Sequence, residues 1–236
     1  MIDLHSHVLP GLDDGAADLD EALAICRAAA ADGIEAIAGT PHVRTDHGTT
    51  ADEMEAALAS LRAAAGDLIR VLPGGEIALE ELGRPTDDLV RFGLAGNPRY
   101  LLVETPYFGW PLDFVPKLAG LIGRGLTPVL AHPERNSDVQ IRPELIAPLV
   151  ELGALVQVTA ASVDGRSGRR ARRCAFTLLE HRCVHLLASD AHAPTIRAVG
   201  MSAAARAVGG GGLARWLTND VPRAIVDDAA LPPRPR

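Results

Sequence analysis

Histidine and acidic residues recur in this chain at a spacing that suits metal binding. His5 and His7 form a His-x-His pair, and Asp190 and His192 repeat that spacing far along the chain. Side chains two positions apart in an extended segment point to the same side, so each pair presents two donor groups together. Imidazole and carboxylate donors without thiolates suit zinc, manganese or iron rather than a thiolate-rich structural zinc site. The two pairs therefore predict a metal site.

Other residues of the same types stand where apolar runs end. Glu104 and His132 each follow such a run, and Glu76 follows two glycines that permit close backbone approach. A buried Glu104 without a partner would be costly, and a cation would offset that cost. Each residue alone could be an ordinary turn or surface residue, so the prediction rests on their joint placement. Nine candidates are too many for one ion, and a bridging carboxylate such as Glu76 would give two or three divalent ions. The candidates are His5, His7, Asp14, His42, Glu76, Glu104, His132, Asp190 and His192.

Short apolar strands alternating with amphipathic helices must position these residues, and this alternation predicts a parallel α/β sheet. The predicted strands cover residues 2–5, 34–38, 68–72, 100–103, 128–131, 155–158 and 184–188. Strands lie about 4.8 Å apart, so the first and seventh would be about 29 Å apart in a flat sheet. Only a closed ring lets His5 and Asp190 share one ion. We therefore expect a distorted seven-stranded (β/α)7 TIM-like barrel, with function at the C-terminal ends of its strands.

Helices are expected between these strands. Leu19, Leu23, Cys26 and Ala30 fall on one helical face that Gly33 would end, and Thr50 with Glu53 resembles a capping box. Further helices are predicted over residues 143–152, 169–181, 196–208 and around 213–217. The chain contains no sequence that would divide it, so residues 1–236 are expected to form one domain with a frayed tail at 231–236.

Bulk properties exclude several classes of function. The formal net charge of -7 argues against a nucleic-acid partner. No apolar run approaches the roughly 20 residues that membrane insertion needs, and the N-terminal residues lack a signal-peptide core, so we expect a cytoplasmic protein. The three cysteines suggest no disulfide framework. Cysteine phosphatases resemble one another in an arginine six positions after the cysteine; those positions here hold Asp32, Glu180 and Ser189.

The motifs, taken in order, resemble the polymerase and histidinol phosphatase (PHP) superfamily. Within it they are most similar to the bacterial tyrosine-protein phosphatases of capsular and exopolysaccharide synthesis. The resemblance covers residues 2 to about 200 and implies the PHP fold. It rests on Ile2-Asp3-Leu4-His5-Ser6-His7, Gly11-Leu12-Asp13-Asp14-Gly15, Thr40-Pro41-His42, Gly75-Glu76-Ile77, Ala131-His132-Pro133-Glu134-Arg135-Asn136 and Ala188-Ser189-Asp190-Ala191-His192.

The resemblance implies three metal ions, with manganese expected and iron or zinc as alternatives. The first ion would be held by His5, His7, Glu76 and Asp190. Glu76 would bridge to a second ion held by Glu104 and His132. Asp14, His42 and His192 would hold the third. Arg135 matches the phosphate-contacting arginine of the family, and Arg197 is compared with a later arginine of the last motif. The implied substrate is a phosphotyrosine protein, the C-terminal tail of a bacterial tyrosine kinase.

Our mechanistic hypothesis is in-line attack on phosphorus by a metal-activated hydroxide, with Arg135 holding the phosphoryl group. Asp14, His42 and His192 are candidates for influencing protonation of the leaving oxygen, and the sequence leaves the choice open. The alternatives are another PHP phosphomonoesterase such as a histidinol-phosphate phosphatase, a metal-dependent amidohydrolase, and a metal-stabilised regulatory domain for a polysaccharide-export kinase. The oligomeric state and the role of residues 107–110 also stay open.

Overall fold

The strands of the computed structural model, which describes residues 1–195 and 197–235, confirm all seven predicted strands to within two residues at either end. Three further short strands, β3, β4 and β6, were not predicted. The ten strands are β1 (Ile2–Ser6), β2 (Ala36–Gly39), β3 (His42–Arg44), β4 (His47–Gly48), β5 (Arg70–Leu72), β6 (Glu76–Ile77), β7 (Tyr100–Glu104), β8 (Thr127–Ala131), β9 (Leu155–Thr159) and β10 (Leu186–Ala188).

The strands form two sheets. The smaller has the order β1-β2-β5, and the larger has the order β10-β9-β8-β7-β6-β3-β4. All paired strands are parallel except β3 and β4, which are antiparallel. This confirms the predicted α/β class with a mainly parallel sheet.

Hydrogen bonding among the described residues does not close a single seven-stranded barrel, so that part of the prediction is not confirmed. The chain leaves the smaller sheet at Pro41, between β2 and β3, and at Pro73, between β5 and β6. Proline has no backbone N–H to donate, which interrupts the ladder. The far edges of the two sheets meet at one parallel bridge between Ser6 and Ala191, where His7 N donates to Ala191 O at 2.8 Å.

Helices lie between the strands. The α-helices are α1 (Leu19–Ala31), α2 (Ala51–Ala65), α3 (Thr86–Leu89), α4 (Phe114–Gly123), α5 (Ser137–Ile141), α6 (Ala147–Leu152), α7 (Ala160–Asp164), α8 (Arg169–Glu180), α9 (Met201–Ala207), α10 (Gly211–Arg215) and α11 (Val221–Val226). Short 3₁₀ segments cover Leu79–Gly83, Val90–Phe92, Leu94–Gly96, Pro133–Arg135 and Pro143–Leu145, and a π turn covers Trp216–Asp220. No helix in the described part of the chain is long and apolar enough to cross a membrane.

The predicted helices are largely confirmed, and the capping box of α2 is present. Thr50 Oγ1 accepts from Glu53 N at 3.2 Å, while the Glu53 carboxylate accepts from Thr50 N at 2.9 Å. The predicted face of α1 is shifted, because its fully buried residues are Ala22, Ile25, Cys26 and Ala29. The predicted helix at 143–152 divides into a 3₁₀ turn and α6.

The C-terminal region contains more helix than the sequence predicted. The helix expected over 196–208 is α9, and Ile196 lies outside the described residues. The short helix expected around 213–217 continues through the π turn into α11. The tail packs on the domain: Trp216 Nε1 donates to Pro232 O and Arg234 Nη2 donates to Leu179 O, both at 2.9 Å. The fraying expected over residues 231–236 stays a prediction; Arg236 lies outside the described residues.

Candidate metal centre

The nine predicted ligands lie in one continuous cluster at the C-terminal side of the strands. His5 lies within β1, Glu104 ends β7, and His132 directly follows β8. Eight of the nine side chains are buried, whereas the side chain of Asp14 is 48% exposed and faces the mouth of the cluster. The reason is topological, since the C-terminal ends of neighbouring parallel strands share one edge.

Four donor groups lie close together at the centre of the cluster. His5 Nε2 lies 3.4 Å from Glu76 Oε2 and 3.5 Å from Asp190 Oδ1. His7 Nε2 lies 3.4 Å from each of the same two oxygens. Donor atoms that bind one ion at about 2.1 Å in a tetrahedral arrangement are about 3.4 Å apart. His5, His7 and Asp190 therefore have the spacing of a ligand set for a single divalent ion, and Glu76 lies beside both imidazoles.

Two further groups of donors share Glu76. In one, His132 Nε2 lies 2.8 Å from Glu76 Oε1. In the other, His42 Nδ1 lies 3.1 Å from Glu76 Oε2 and 3.8 Å from Glu104 Oε2. The structure thus groups Glu104 with His42 and Glu76, whereas the sequence analysis grouped it with His132.

Asp14 joins the last group at the mouth. Its Oδ1 lies 3.4 Å from His42 Nε2 and 3.3 Å from His192 Nε2, and His7 belongs to the same group of donors. The cluster therefore offers overlapping positions for more than one ion, with Glu76 shared between several of them.

Several buried donor atoms in this cluster have no hydrogen-bond partner among the described residues. Orphaned buried polar atoms are costly, so their concentration at one place indicates a missing ligand. The atoms are His5 Nε2, His7 Nε2, His42 Nδ1, Glu76 Oε2, His132 Nδ1 and His192 Nε2. Lone pairs of imidazole and carboxylate are what a divalent transition-metal ion requires, so the residues present fit such an ion.

The electrostatics of the cluster also favour a cation. Burial alone would raise the pKa of Glu76 and of Asp190, but the nearby His5 charge and further polar partners hold both values well below their usual range. Burial alone would lower the pKa of His7, but its hydrogen bond with Asp13 and the nearby carboxylates of Asp190 and Glu76 hold that value well above its usual range. The cluster therefore keeps Glu76 and Asp190 ionised and draws positive charge to His7, a demand that metal ions satisfy, whereas burial raises the pKa of Glu104.

Neighbouring residues orient the histidine rings. His5 Nδ1 lies 2.9 Å from Gln157 Oε1, and His7 Nδ1 lies 2.5 Å from Asp13 Oδ2. These contacts leave Nε2 of each ring facing Glu76 and Asp190. Such outer partners fix the tautomer and direction of ligating imidazoles.

The backbone is unusual at two of the strand ends. His132 has φ of 39° and Asp190 has φ of 53°, both in the left-handed region that non-glycine residues seldom adopt. His132 is the first residue after β8, and Asp190 is the second residue after β10. They turn the chain sharply where a donor group must point into the cluster, and strained backbone of this kind concentrates at functional sites.

Two arginines line the cluster. Arg135 Nη1 lies 2.5 Å from Asp190 Oδ2, and Arg197 Nη2 lies 3.1 Å from the same oxygen. The Tyr107 ring stacks on His132 at 5.5 Å, and the Arg135 guanidinium lies 4.7 Å from the centre of the Tyr107 ring. Arg135 is therefore held at the edge of the donor cluster.

The sequence analysis gave no role to three residues that support the cluster. Asp13 and Gln157 orient His7 and His5, and Arg44 Nη1 donates to Glu104 Oε1 at 3.0 Å. Gln157 carried a signal, because it is an amide within an otherwise mainly apolar strand. The sequence signal for Asp13 was weaker, because it lies in an acidic turn, and the sequence contained no signal for Arg44.

Comparison with known proteins finds close relatives over most of the chain. It is 36% identical over 203 residues to the tyrosine-protein phosphatase YwqE of Bacillus subtilis, covering 81% of this chain and 77% of that protein. It is 26% identical over 248 aligned positions to the tyrosine-protein phosphatase CpsB of Streptococcus pneumoniae, and the alignment covers 98% of this chain and 100% of that protein.

The fold agrees with these relatives. A solved structure from the crystallography of YwqE and CpsB, described as unique metal-dependent tyrosine phosphatases, superposes with a TM-score of 0.88 at 30% identity. The superposition covers 100% of this chain and 99% of the other. Residues 1–213 match the family described as capsular polysaccharide synthesis, CpsB/CapC, and the chain therefore belongs to that family.

Proposed function

We propose that this protein is a metal-dependent tyrosine-protein phosphatase, a phosphoric monoester hydrolase that releases phosphate from phosphotyrosine in a protein substrate. The observation that carries the proposal is the buried cluster of imidazoles and carboxylates whose orphaned donor atoms face one another beside Arg135. The names of the relatives, tyrosine-protein phosphatases in each case, give the reaction that such a cluster performs in this family.

The proposed ligands divide among three divalent ions. His5, His7, Glu76 and Asp190 hold the first, and Asp14, His42 and His192 hold the third. Glu76, Glu104 and His132 serve the second, because Glu76 lies in one group of donors with His132 and in another with Glu104 and His42. The mixed donor set suits manganese, which we infer as the metal, with iron or zinc as alternatives. When bound, the ions lower the pKa of water and neutralise phosphoryl oxygens.

The chain's own residues supply substrate binding. Arg135 presents a planar guanidinium suited to two phosphoryl oxygens, and its contact with the Tyr107 ring limits its motion. Four carboxylates carry -4 in the cluster, so three divalent ions would leave a net positive site for a phosphate dianion. Asp14, His42 and His192 lie at the mouth and are the candidates for influencing protonation of the leaving oxygen. Tyrosine's pKa of about 10 makes its phenolate a fair leaving group, so a strong general acid is unnecessary.

A cysteine nucleophile has no place in this proposal. Cys26, Cys174 and Cys183 are all buried, and burial raises the pKa of Cys26 to about 11 and that of Cys174 to about 12. A thiolate, the reactive form, is therefore strongly disfavoured at neutral pH. This supports metal-assisted rather than covalent phosphoryl transfer.

The proposal also includes a fold and a substrate. A distorted (β/α)7 barrel in one domain is supported by the bridge between Ser6 and Ala191, where the edges of the two sheets meet. The tyrosine-bearing C-terminal tail of a bacterial tyrosine kinase is the inferred substrate, which the family's description as capsular polysaccharide synthesis supports.

The proposal is tested by metal analysis of the purified protein together with turnover of phosphotyrosine peptides, histidinol phosphate and p-nitrophenyl phosphate. After reconstitution with Mn²⁺, we expect turnover of the phosphotyrosine peptides far above that of histidinol phosphate. A preference for histidinol phosphate would assign the site to another phosphomonoesterase. Bound metal with no turnover of any of the three substrates would contradict a phosphatase.

A further inference from the structure

An arginine-rich face on α8 stands out in a chain of net charge -7. Arg169, Arg170, Arg172 and Arg173 are all exposed, and the buried side of the helix carries apolar residues such as Cys174 and Leu178. Within residues 1–195 and 197–235, none of these four arginines forms an ion pair, although Arg166 just before them pairs with Asp164. Their charge is thus available to an external partner.

The face carries a shallow groove between its side chains. Arg169, Arg172, Arg173, Phe176 and Glu180 recur at the spacing of one helical face and line a groove of about 320 Å³. The Arg172 guanidinium lies 5.2 Å from the centre of the Phe176 ring, and its Nε donates to Val163 O at 3.3 Å. These contacts hold Arg172 along the groove, which we call the α8 groove.

The α8 groove begins next to the candidate metal centre. Ser167, two residues before Arg169, lines the same small cavity as Arg135, Asp190 and Arg197. Two residues span at most about 7 Å, and Arg173 lies about 6 Å farther along the helix. An extended peptide covers the resulting distance of about 13 Å with about four residues.

These observations favour an anionic peptide over a membrane surface. A helix that lies in a bilayer interface exposes large apolar side chains beside its basic ones. The large apolar residues exposed in the described part of the chain lie elsewhere: Leu68, Phe108, Leu112, Val115, Ile141 and Leu152.

We propose that the α8 groove binds acidic or phosphorylated residues two to four positions away from the target phosphotyrosine. The proposal rests on the proposed function, because it takes the anchored residue to be a phosphotyrosine at the metal centre. The arginines raise the affinity for substrates with an anionic flank, and they act on binding rather than on the chemical step.

The test compares phosphotyrosine peptides that carry either three aspartates or three serines at those positions, on the N-terminal or on the C-terminal side. For the unmodified protein loaded with Mn²⁺, we expect one aspartate peptide to have a KM about tenfold lower than its serine counterpart, as three exposed ion pairs would give. Raising the salt concentration to about 1 M should remove the difference. Equal KM values for all peptides would overturn the proposal.

The variant R169Q/R172Q/R173Q should lose this preference and keep its turnover of p-nitrophenyl phosphate. The control R27Q/R206Q/R215Q removes the same charge from exposed arginines on other helices and should keep the preference. A preference that persists in the α8 variant would overturn the proposal, as would arginine-dependent binding to phosphatidylserine vesicles without any peptide preference.

Failure of the proposed function would look different. If the metal-loaded protein hydrolyses none of the substrates, fluorescence anisotropy of the labelled peptides still compares their affinities for the α8 groove. Selective binding of one aspartate peptide without turnover would support peptide binding by the α8 groove and contradict the phosphatase activity. Turnover without selectivity would support the phosphatase activity and contradict peptide binding by the groove.

Discussion

Asp13 offers a direct test of how the cluster holds its ligands in place. Its side chain is fully buried, and one carboxylate oxygen lies 2.5 Å from His7 Nδ1. The carboxylate also accepts hydrogen bonds from His42 N at 2.9 Å and from Gly15 N at 3.0 Å. It thereby orients one candidate ligand and anchors the strand that carries another. We predict that Asp13→Asn weakens metal binding without removing any ligand.

The magnitude follows from the loss of one charged hydrogen bond. The His7 partner keeps the pKa of Asp13 at about 2 although burial opposes this, so the native carboxylate is ionised. A buried hydrogen bond to a charged group contributes about 1.5–3 kcal/mol. Loss of an outer partner of a ligating histidine typically lowers metal affinity or activity about 10- to 100-fold, which equals about 1.4–2.7 kcal/mol. The two ranges agree, and we expect a decrease of that size.

Metal affinity is measured by competition with a chelator, alongside turnover of a phosphotyrosine peptide and the melting temperature at saturating metal. Asp18→Asn is the matched control, since Asp18 also accepts a backbone hydrogen bond, from Glu21 N at 2.9 Å, and asparagine caps a helix equally well. Unchanged metal affinity and turnover in Asp13→Asn would refute the reasoning. A melting temperature that falls with no change in affinity would show that Asp13 only holds its loop together.

Four further outcomes are expected. His132→Ala and Arg135→Ala should both reduce phosphotyrosine turnover at least 100-fold, but metal analysis should show depletion only in His132→Ala. Cys174→Ser should retain full turnover; its loss would argue for a cysteine enzyme. Burial, with a smaller effect from Arg234, lowers the pKa of His185 to about 4, so the unfolded chain binds a proton there before the folded one. Stability should therefore fall by up to about 3 kcal/mol as pH drops from 6.5 to 4, and urea titrations should show less of this loss in His185→Gln. Removal of metal by a chelator should lower the melting temperature, and metal at about 100 times its dissociation constant should restore about 2.7 kcal/mol; an unchanged melting curve would indicate that no ion binds the folded state preferentially.

Much of the fold was predictable because it depends on local patterns. Apolar runs located the seven main strands, and the residues Thr50 and Glu53 located the start of α2 from a hydrogen-bonding rule that acts over three positions. The division into two sheets was not predictable in the same way. It arises because Pro41 and Pro73 interrupt neighbouring strands within two positions of the same level, which depends on the register between segments about 30 residues apart.

In the candidate site, too, local patterns predicted some features and long-range contacts determined the others. Alternation within a strand placed His5 and His7 on one side, and the rule that parallel strands end at a shared edge placed Glu104 and His132 near them. The supporting contact between His5 and Gln157 joins residues 152 positions apart, so no local pattern contains it. The grouping of Glu104 with His42 rather than His132 likewise depends on side-chain directions that periodicity does not determine.

In this chain, the residues of the candidate site and the residues that stabilise the fold lie in different layers. At the strand ends, the left-handed backbone of His132 and Asp190 costs about 1–3 kcal/mol each, and unpartnered buried donors add to that cost. Beneath them, aliphatic side chains such as Leu4 and Val129 are almost completely buried, and each contributes about 1.5–3 kcal/mol. The core can therefore hold unfavourable donors in place before any ion binds. A preorganised set of donors spends little of the binding energy on reorganisation, so the ion's full interaction with the cluster is expressed as affinity.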